Sequence, residues 1–288
     1  MYNNYKVKCL VFAGREKYLR LLMPQLLECE EFDEIMICIN TKNEQDLAYI
    51  NSLPDISNKI KLYNRPDNIR NHQHPQVSYL YFYTLTRDID TIYFKVDDDI
   101  VYIEPGCIKA MLDVKINTCN ISLFVFPHII NNPFFNCISD NKPINKDYMN
   151  KSWSSGDYAA DIHNRFINNQ IERKSGIIDI KANYTYLGRP DNKTDYIRPS
   201  INFICYFGFD MNNLLMTKNL DFIRIGDEQL FVCDYLKTYT NKINIATLNV
   251  KVAHWSFFSQ YKKLLEKENA LLTLYENKIN TDYKKKLI

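Results

Sequence analysis

No sign of charge dominates this chain: 36 Lys and Arg stand against 34 Asp and Glu over 288 residues, a formal net charge of +2. That balance gives no global electrostatic argument for binding nucleic acid or a membrane surface. The eight cysteines, at 9, 29, 38, 107, 119, 137, 205 and 233, form no CxxC pair and no zinc-type spacing. Most sit in apolar runs and read as small buried hydrophobes. No apolar stretch reaches the length of about 18 residues needed to cross a bilayer, and MYNNYKVK passes into a strand-like run without a signal peptide's apolar segment. The expectation is a protein of a reducing cytoplasm without a transmembrane segment. Lysines gather near the C-terminus (Lys262, Lys263, Lys267, Lys278, Lys284, Lys285, Lys286), which allows at most weak peripheral contact with anionic lipid; a solvated helix face explains them as well. GxGxxG, a P-loop and a Gly- and Lys-rich phosphate loop near the start are all lacking.

What is present is TIYFKVDDDIVYIEP, residues 91 to 105, where an apolar run ends in Asp97, Asp98 and Asp99. Ile92, Tyr93, Phe94 and Val96 have the β-branched and aromatic character of a strand buried on both faces, interrupted only by Lys95. Alternation along a strand places Asp97 and Asp99 on one side and Asp98 on the other. Two like charges about 4 Å apart repel by roughly 1 kcal/mol even in bulk water. A divalent cation bridging to a phosphate relieves that repulsion, since Mg²⁺ and Mn²⁺ take carboxylate oxygens together with substrate phosphates. Helix capping is the plainer reading, with Pro105 expected at a first helical position ahead of Ile108, Met111 and Leu112. Capping needs one acid, however, not three.

Around this strand the order is β-α-β-α-β. VKCLVFA (7 to 13) turns at Gly14 and Arg15 into a helix bearing Tyr18, Leu19, Leu22 and Leu26, with Pro24 as a break or kink. EIMICIN (34 to 40) precedes a helix capped by Thr41 or Asn43, and a third strand covers 59 to 63. The loop RPDNIRNHQHPQ carries Arg65, Asp67, Asn68, Arg70, Asn71, His72 and His74. Its two histidines, without an acid at helical spacing, read as solvated turn residues. ISLFVFPHII (121 to 130) and INFICYFGF (201 to 209) are further strands. Between them, WSSGDYAADIHNRFIN (153 to 168) has helical periodicity. Trp153 beside Ser154, Ser155 and Asp157 suits sugar recognition, or is a core tryptophan; His163 reads as structural. Asp227 and Glu228 open a late helix, as an N-cap or as a general base. His254 closes the last strand, as a structural residue or a nitrogen ligand for Mn²⁺.

These islands together, with FAGR, FPHIINN, WSSGDYAADIH, GDEQ and VAHWSFFSQ, resemble nucleotide-sugar glycosyltransferases of the GT-A fold, in particular bacterial capsule and surface-polysaccharide transferases and similar enzymes of large DNA viruses. The resemblance implies an α/β protein with a Rossmann-like, mostly parallel central sheet flanked by helices and an irregular acceptor-side subregion. It implies one domain over 1–288: a nucleotide-sugar-binding half (1–130), an acceptor and catalytic half (131–260) and a C-terminal helix and tail (261–288). By the same likeness, Asp97 and Asp98 face the donor, Asp97, Asp99 and His254 hold Mn²⁺ or Mg²⁺, and Phe12, Ala13, Gly14 and Arg15 cradle the nucleotide with Arg65, Asn71 and Lys95. Trp153 and Asp157 would meet the acceptor. Glu228 or Asp227 would be the catalytic base, its identity left open because Asp-Glu stands where many relatives have Glu-Asp. The implied reaction is inverting transfer of a sugar from a UDP-type donor to a glycan or other hydroxyl. A metal-dependent nucleotidyltransferase and a non-catalytic glycan-binding relative are the alternatives.

Overall fold

The computed structural model describes residues 1–70, 75–180, 199–217, 231–235 and 240–284. In chain order its strands are β1 (Lys6–Ala13), β2 (Glu34–Ile39), β3 (Ile60–Tyr63), β4 (Thr91–Asp97), β5 (Ile100–Ile103), β6 (Ser122–Ile130), β7 (Ile177–Asp179), β8 (Phe203–Phe207) and β9 (Ile243–His254). The helices between and after them are α1 (Glu16–Leu27), α2 (Glu44–Ser52), α3 (Asp67–Arg70), α4 (Pro75–Tyr83), α5 (Cys107–Asn117), α6 (Pro133–Ser139), α7 (Lys146–Ser154), α8 (Gly156–Ile167), α9 (Gly208–Thr217), α10 (Tyr261–Leu264) and α11 (Glu268–Lys284). Among the described residues no helix is long and apolar enough to cross a membrane.

Each expected apolar run forms a strand because it is buried from both sides; all nine residues of β6 are buried, for example. Three local expectations need correction. α1 continues through Pro24, which lies on the exposed side, where water can take the carbonyl that proline leaves free. Pro105 lies outside α5; Gly106, at φ 82°, precedes the helix, and Ile100–Ile103 ahead of it is a strand. The periodic segment 153 to 168 belongs to two helices, α7 and α8, which meet at Ser155, whose hydroxyl accepts from the Tyr158 N–H at 3.1 Å. Of the two possible caps of α2, Asn43 is used, accepting from the Asp46 N–H at 3.0 Å.

One mixed sheet unites the strands in the order β3-β2-β1-β4-β8-β6-β9-β5, with β7 on β9. The first four run parallel, β8 runs against both of its neighbours, and β6 and β9 are parallel to each other. The fold is therefore the expected α/β sheet flanked by helices, of Rossmann-like type. Because β2 and β3 build outward on one side of β1 and β4 lies on the other, the strand order reverses between β1 and β4. In open α/β sheets a crevice opens at such a point, beyond the carboxyl ends of the strands.

The sheet is also curled, as the chain itself requires. Four strand spacings separate β4 from β5, about 19 Å in a flat sheet. Only Asp98 and Asp99 link these strands, and the three Cα steps from Asp97 to Ile100 span about 11 Å at most. A flat sheet is excluded. The seam lies between β8 and β6, which share a single register pair, Val125 with Cys205. At their carboxyl edge the aspartates close the curl: the Asp97 N–H donates to Asn202 O at 2.9 Å, and Asp99 O accepts from the Trp255 N–H at 2.8 Å. The main core lies along this sheet, and a second cluster, around Tyr18, Tyr102, Phe166, Trp255 and Tyr275, fastens α8 and α11 to it.

Candidate metal and nucleotide site

The carboxyl ends of β1, β4 and β9 converge on a cavity of about 500 Å³ lined by Phe12, Gly14, Arg15, Asn40, Tyr79, the three aspartates, His254 and Ser256 to Phe258. Asp97 leaves β4 on the side of Asn202, whose amide donates to Asp97 Oδ2 at 3.0 Å. Lys95, wholly buried, donates to Asp97 Oδ1 at 2.6 Å and to Ile201 O at 3.0 Å. It backs the carboxylate from within the sheet.

Asp98 turns the other way. Its Oδ2 accepts from the Gly14 N–H at 2.7 Å, and its Oδ1 accepts from Arg15, with Nε at 3.1 Å. Arg15 Nη2 also lies 3.0 Å from Asp99 Oδ2. Burial pushes the Asp98 carboxyl up to about 6 despite Arg15. Burial acts in the same sense on Asp99, but His254 and Arg15 outweigh it and hold Asp99 below the ordinary carboxylate range. The guanidinium, though burial works against its charge, is kept protonated by Asp99 and Asp98.

His254 completes the cluster. Its Nε2 lies 3.4 Å from Asp99 Oδ2, and its Nδ1 faces Asn131 O at 3.4 Å. A backbone carbonyl facing Nδ1 orients the ring so that Nε2, which here faces the Asp99 carboxylate as a donor, is the nitrogen that would turn to a metal ion. Asn131 itself takes φ 59°, a conformation asparagine tolerates, and its amide donates to Trp255 O at 2.7 Å and Gln260 Oε1 at 3.0 Å.

Asp97, Asp99 and His254 each offer one ligand atom, and these lie within 4.8 Å of one another. Asp99 Oδ1 is buried without a hydrogen-bond partner, an orphan acceptor that costs free energy unless something positive meets it. Two hard carboxylate oxygens and one imidazole suit Mn²⁺, and Mg²⁺ with less use of the nitrogen. The residues fit the divalent ion expected of them.

The other residues anticipated for the site are distributed unevenly. Phe12, Gly14 and Arg15 line the cavity, whereas Ala13 is buried in β1. Arg65 reaches the site indirectly, donating to Asn40 Oδ1 at 2.7 Å. Trp153, 44% exposed, lies 6.4 Å from the Phe257 ring, just beyond the cavity wall, and is not a core residue. Asp157 is exposed, pairs with Lys263 and does not line the cavity. His163 is structural, bonded to Tyr275 Oη at 2.7 Å and Trp255 O at 2.8 Å. Asn71, His72, His74, Asp227 and Glu228 lie outside the described residues.

Six neighbours escaped the sequence reading: Asn40, Tyr79, Asn202, Ser256, Phe257 and Phe258. Asn40 was within reach, as the residue that ends β2 at the same sheet edge. Tyr79 and Asn202 carried no local signal. Phe258, 97% exposed at the cavity mouth, stands out only once the fold is known.

No protein-family model matches the chain, and no curated protein does. Among solved structures it is similar to the CMP:2-keto-3-deoxy-manno-octonic acid synthetase complexed with CTP, at 10% identity and TM-score 0.47, covering 93% of this chain and 98% of that one. It is also similar to 4-diphosphocytidyl-2C-methyl-D-erythritol synthase from Anaerococcus prevotii DSM 20548, at 8% identity and TM-score 0.45, covering 96% and 97%. This corrects the expectation of glycosyl transfer. These two solved proteins are named as a synthetase and a synthase of cytidine nucleotide compounds, not as sugar transferases, and no family model or curated protein supplies a transferase.

Proposed function

We propose that this chain is a metal-dependent nucleotidyltransferase that joins a nucleoside monophosphate unit from a nucleoside triphosphate to an oxygen of a second small substrate. The observation that carries the reading is the convergence of Asp97, Asp99 and His254 at the β1/β4 crevice, beside Arg15 and an aromatic wall. Tyr79 stacks on Phe12, ring centroids 6.3 Å apart and planes 28° apart, and offers a base a flat apolar surface. A cavity of about 500 Å³ is within the size range of nucleotide and cofactor pockets. A bound divalent ion would be held by Asp97, Asp99 and His254 and would neutralise charge on the phosphates.

The chain's own residues do the rest. Arg15, with 43% of its side chain exposed although anchored on two aspartates, holds a permanent positive charge where a phosphate enters. Lys95 and Asn202 fix Asp97 in one orientation, so little reorganisation is needed when substrate arrives. In the transfer, an acceptor oxygen bonds to the α-phosphorus as the bond to the bridging oxygen of the β-phosphate breaks, and pyrophosphate leaves in line with the incoming oxygen.

The test is a screen of nucleoside triphosphates with Mg²⁺ or Mn²⁺ against sugar acids and polyol phosphates, scored for pyrophosphate. Metal-dependent pyrophosphate release is expected, reduced about 100-fold or more in Asp97→Asn and Asp99→Asn, each assayed at a temperature where circular dichroism shows it folded, since Asp97→Asn also leaves the buried Lys95 without its carboxylate. Release of nucleoside diphosphate from a nucleotide sugar without pyrophosphate from any triphosphate would sink the proposal.

A further inference from the structure

A second cavity, of about 330 Å³, lies on the other side of the β5–β9 pair from the aspartates. Lys251, three residues before His254 on β9, reaches into it. This lysine is only 9% exposed, yet no carboxylate lies within ion-pair distance of its ammonium among the described residues. Among the described residues its ammonium meets Ile171 O at a long 3.4 Å. Burial lowers its pKa, and the nearby Glu104 carboxylate, which does not pair with it directly, offsets only part of that effect.

The other cations of the cavity are already positioned. Lys278 pairs with Asp282 at 3.1 Å and lies over the Tyr102 and Phe166 rings at 5.1 and 5.6 Å. At the rim, Arg173 Nη1 meets Glu104 Oε1 at 3.0 Å. Glu104 has its other oxygen engaged, accepting from the Lys251 backbone N–H at 2.8 Å, so it cannot swing round to neutralise the Lys251 side chain. Glu172, the second acid of the lining, is paired with Lys174, so both carboxylates of the cavity are already engaged and the buried Lys251 ammonium is left without a direct ion-pair partner among the described residues, with Lys278 and Arg173 as further cations of the lining.

We infer that this cavity is a second ligand site, for a small phosphate monoester whose phosphate seats on Lys251 between Lys278 and Arg173. Three cations approaching from the back and two sides suit the several oxygens of a phosphate better than the two of a carboxylate. The volume exceeds what a phosphate alone fills and leaves room for a small polyol body beside the aromatic rings. The inference does not depend on the chemistry proposed for the first cavity.

The test uses the full chain and calorimetric titration with inorganic phosphate, glucose 6-phosphate and glucose, in wild type and in Lys251→Met, Arg173→Gln and Asp99→Asn. Glucose 6-phosphate should bind, glucose should not, and inorganic phosphate alone should bind more weakly. Lys251→Met should weaken binding tenfold or more, Arg173→Gln severalfold, and Asp99→Asn not at all. Loss in Asp99→Asn would place the ligand in the first cavity and overturn the inference. Unchanged binding in a folded Lys251→Met would overturn it too. Should Lys251→Met fail to fold, Arg173→Gln decides, because that side chain is 67% exposed: wild-type affinity in it overturns the site.

Discussion

A lysine in the middle of a buried strand needs a reason, and for Lys95 it is the carboxylate two residues later. Side chains two apart share a face, so Lys95 lies beneath Asp97, with its ammonium 5.0 Å from the Phe12 ring as well. Replacing it by Met would leave Asp97 without its inner partner. The expected cost is about 2–3 kcal/mol, at the low end for a broken buried pair because 24% of the Asp97 side chain reaches solvent. Thermal melting of Lys95→Met measures this, and Mn²⁺ affinity should fall with it, since Asp97 loses its fixed orientation. The nearness of Asp97 and Asp99 was legible because both lie in one short segment, although Asp98 and Asp99 form a turn after β4 and do not continue its alternation. Asn202 and Tyr79 were not, because each meets the site only through pairing or packing with segments distant in sequence. Glu228 and Asp227, marked by the sequence at the start of a late helix, lie outside the described residues and rest on that reading alone.

At the scale of elements, the break between α7 and α8 shows how tertiary packing overrides periodicity. A single helix over 153 to 168 satisfies the hydrophobic pattern, but Gly156 must pass close to α10: a Cβ there would stand 2.7 Å from Lys263 Cβ and 2.8 Å from Gln260 O. Gln260 cannot yield easily, since its side chain bonds Asn131 and the Ser152 carbonyl. Gly156→Val is therefore expected to destabilise by about 1–3 kcal/mol, the range for overpacking, measured by denaturant titration. Displacement of Gln260 and Asn131 should also be felt at His254, so metal affinity should drop in parallel. Pro105 misses the first helical position by two residues, because the chain turns at Pro105 and Gly106 before α5 begins at Cys107. Ile100–Ile103 pairs with β9 as a strand, which no local signal announces.

At the scale of the whole molecule, two buried histidines away from the candidate site govern the response to acid. Burial lowers His163 to about 4 and His128 to about 3, so both stay neutral in the folded protein where the unfolded chain would take up protons at about 6.5. The unfolded state therefore binds more protons between those values. Stability should be fully present above about pH 6.5 and be lost progressively as pH falls toward 4 and below, with upper figures of about 3 kcal/mol for His163 and about 5 kcal/mol for His128. Melting temperature followed from pH 7 to pH 4.5 checks the sign, and His163→Gln should flatten the slope. The parallel half of the sheet was readable from the alternation of apolar runs and amphipathic helices. The mixed half was not, because strand order beyond β4 depends on pairings that sequence periodicity leaves open.

The two-residue link between β4 and β5 also fixes when the molecule can become competent. It joins residue 97 to a carbonyl at 202 and residue 99 to an amide at 255, separations of more than a hundred positions along the chain. Contacts of that span form late, after the loop-closure entropy of the intervening segments has been overcome. During synthesis the parallel half can fold first, with its aspartates hanging from an open edge, and the last residues of β9 must emerge before the sheet can close. On the function proposed above, competence to hold a divalent ion would mark the end of folding in this chain rather than its beginning.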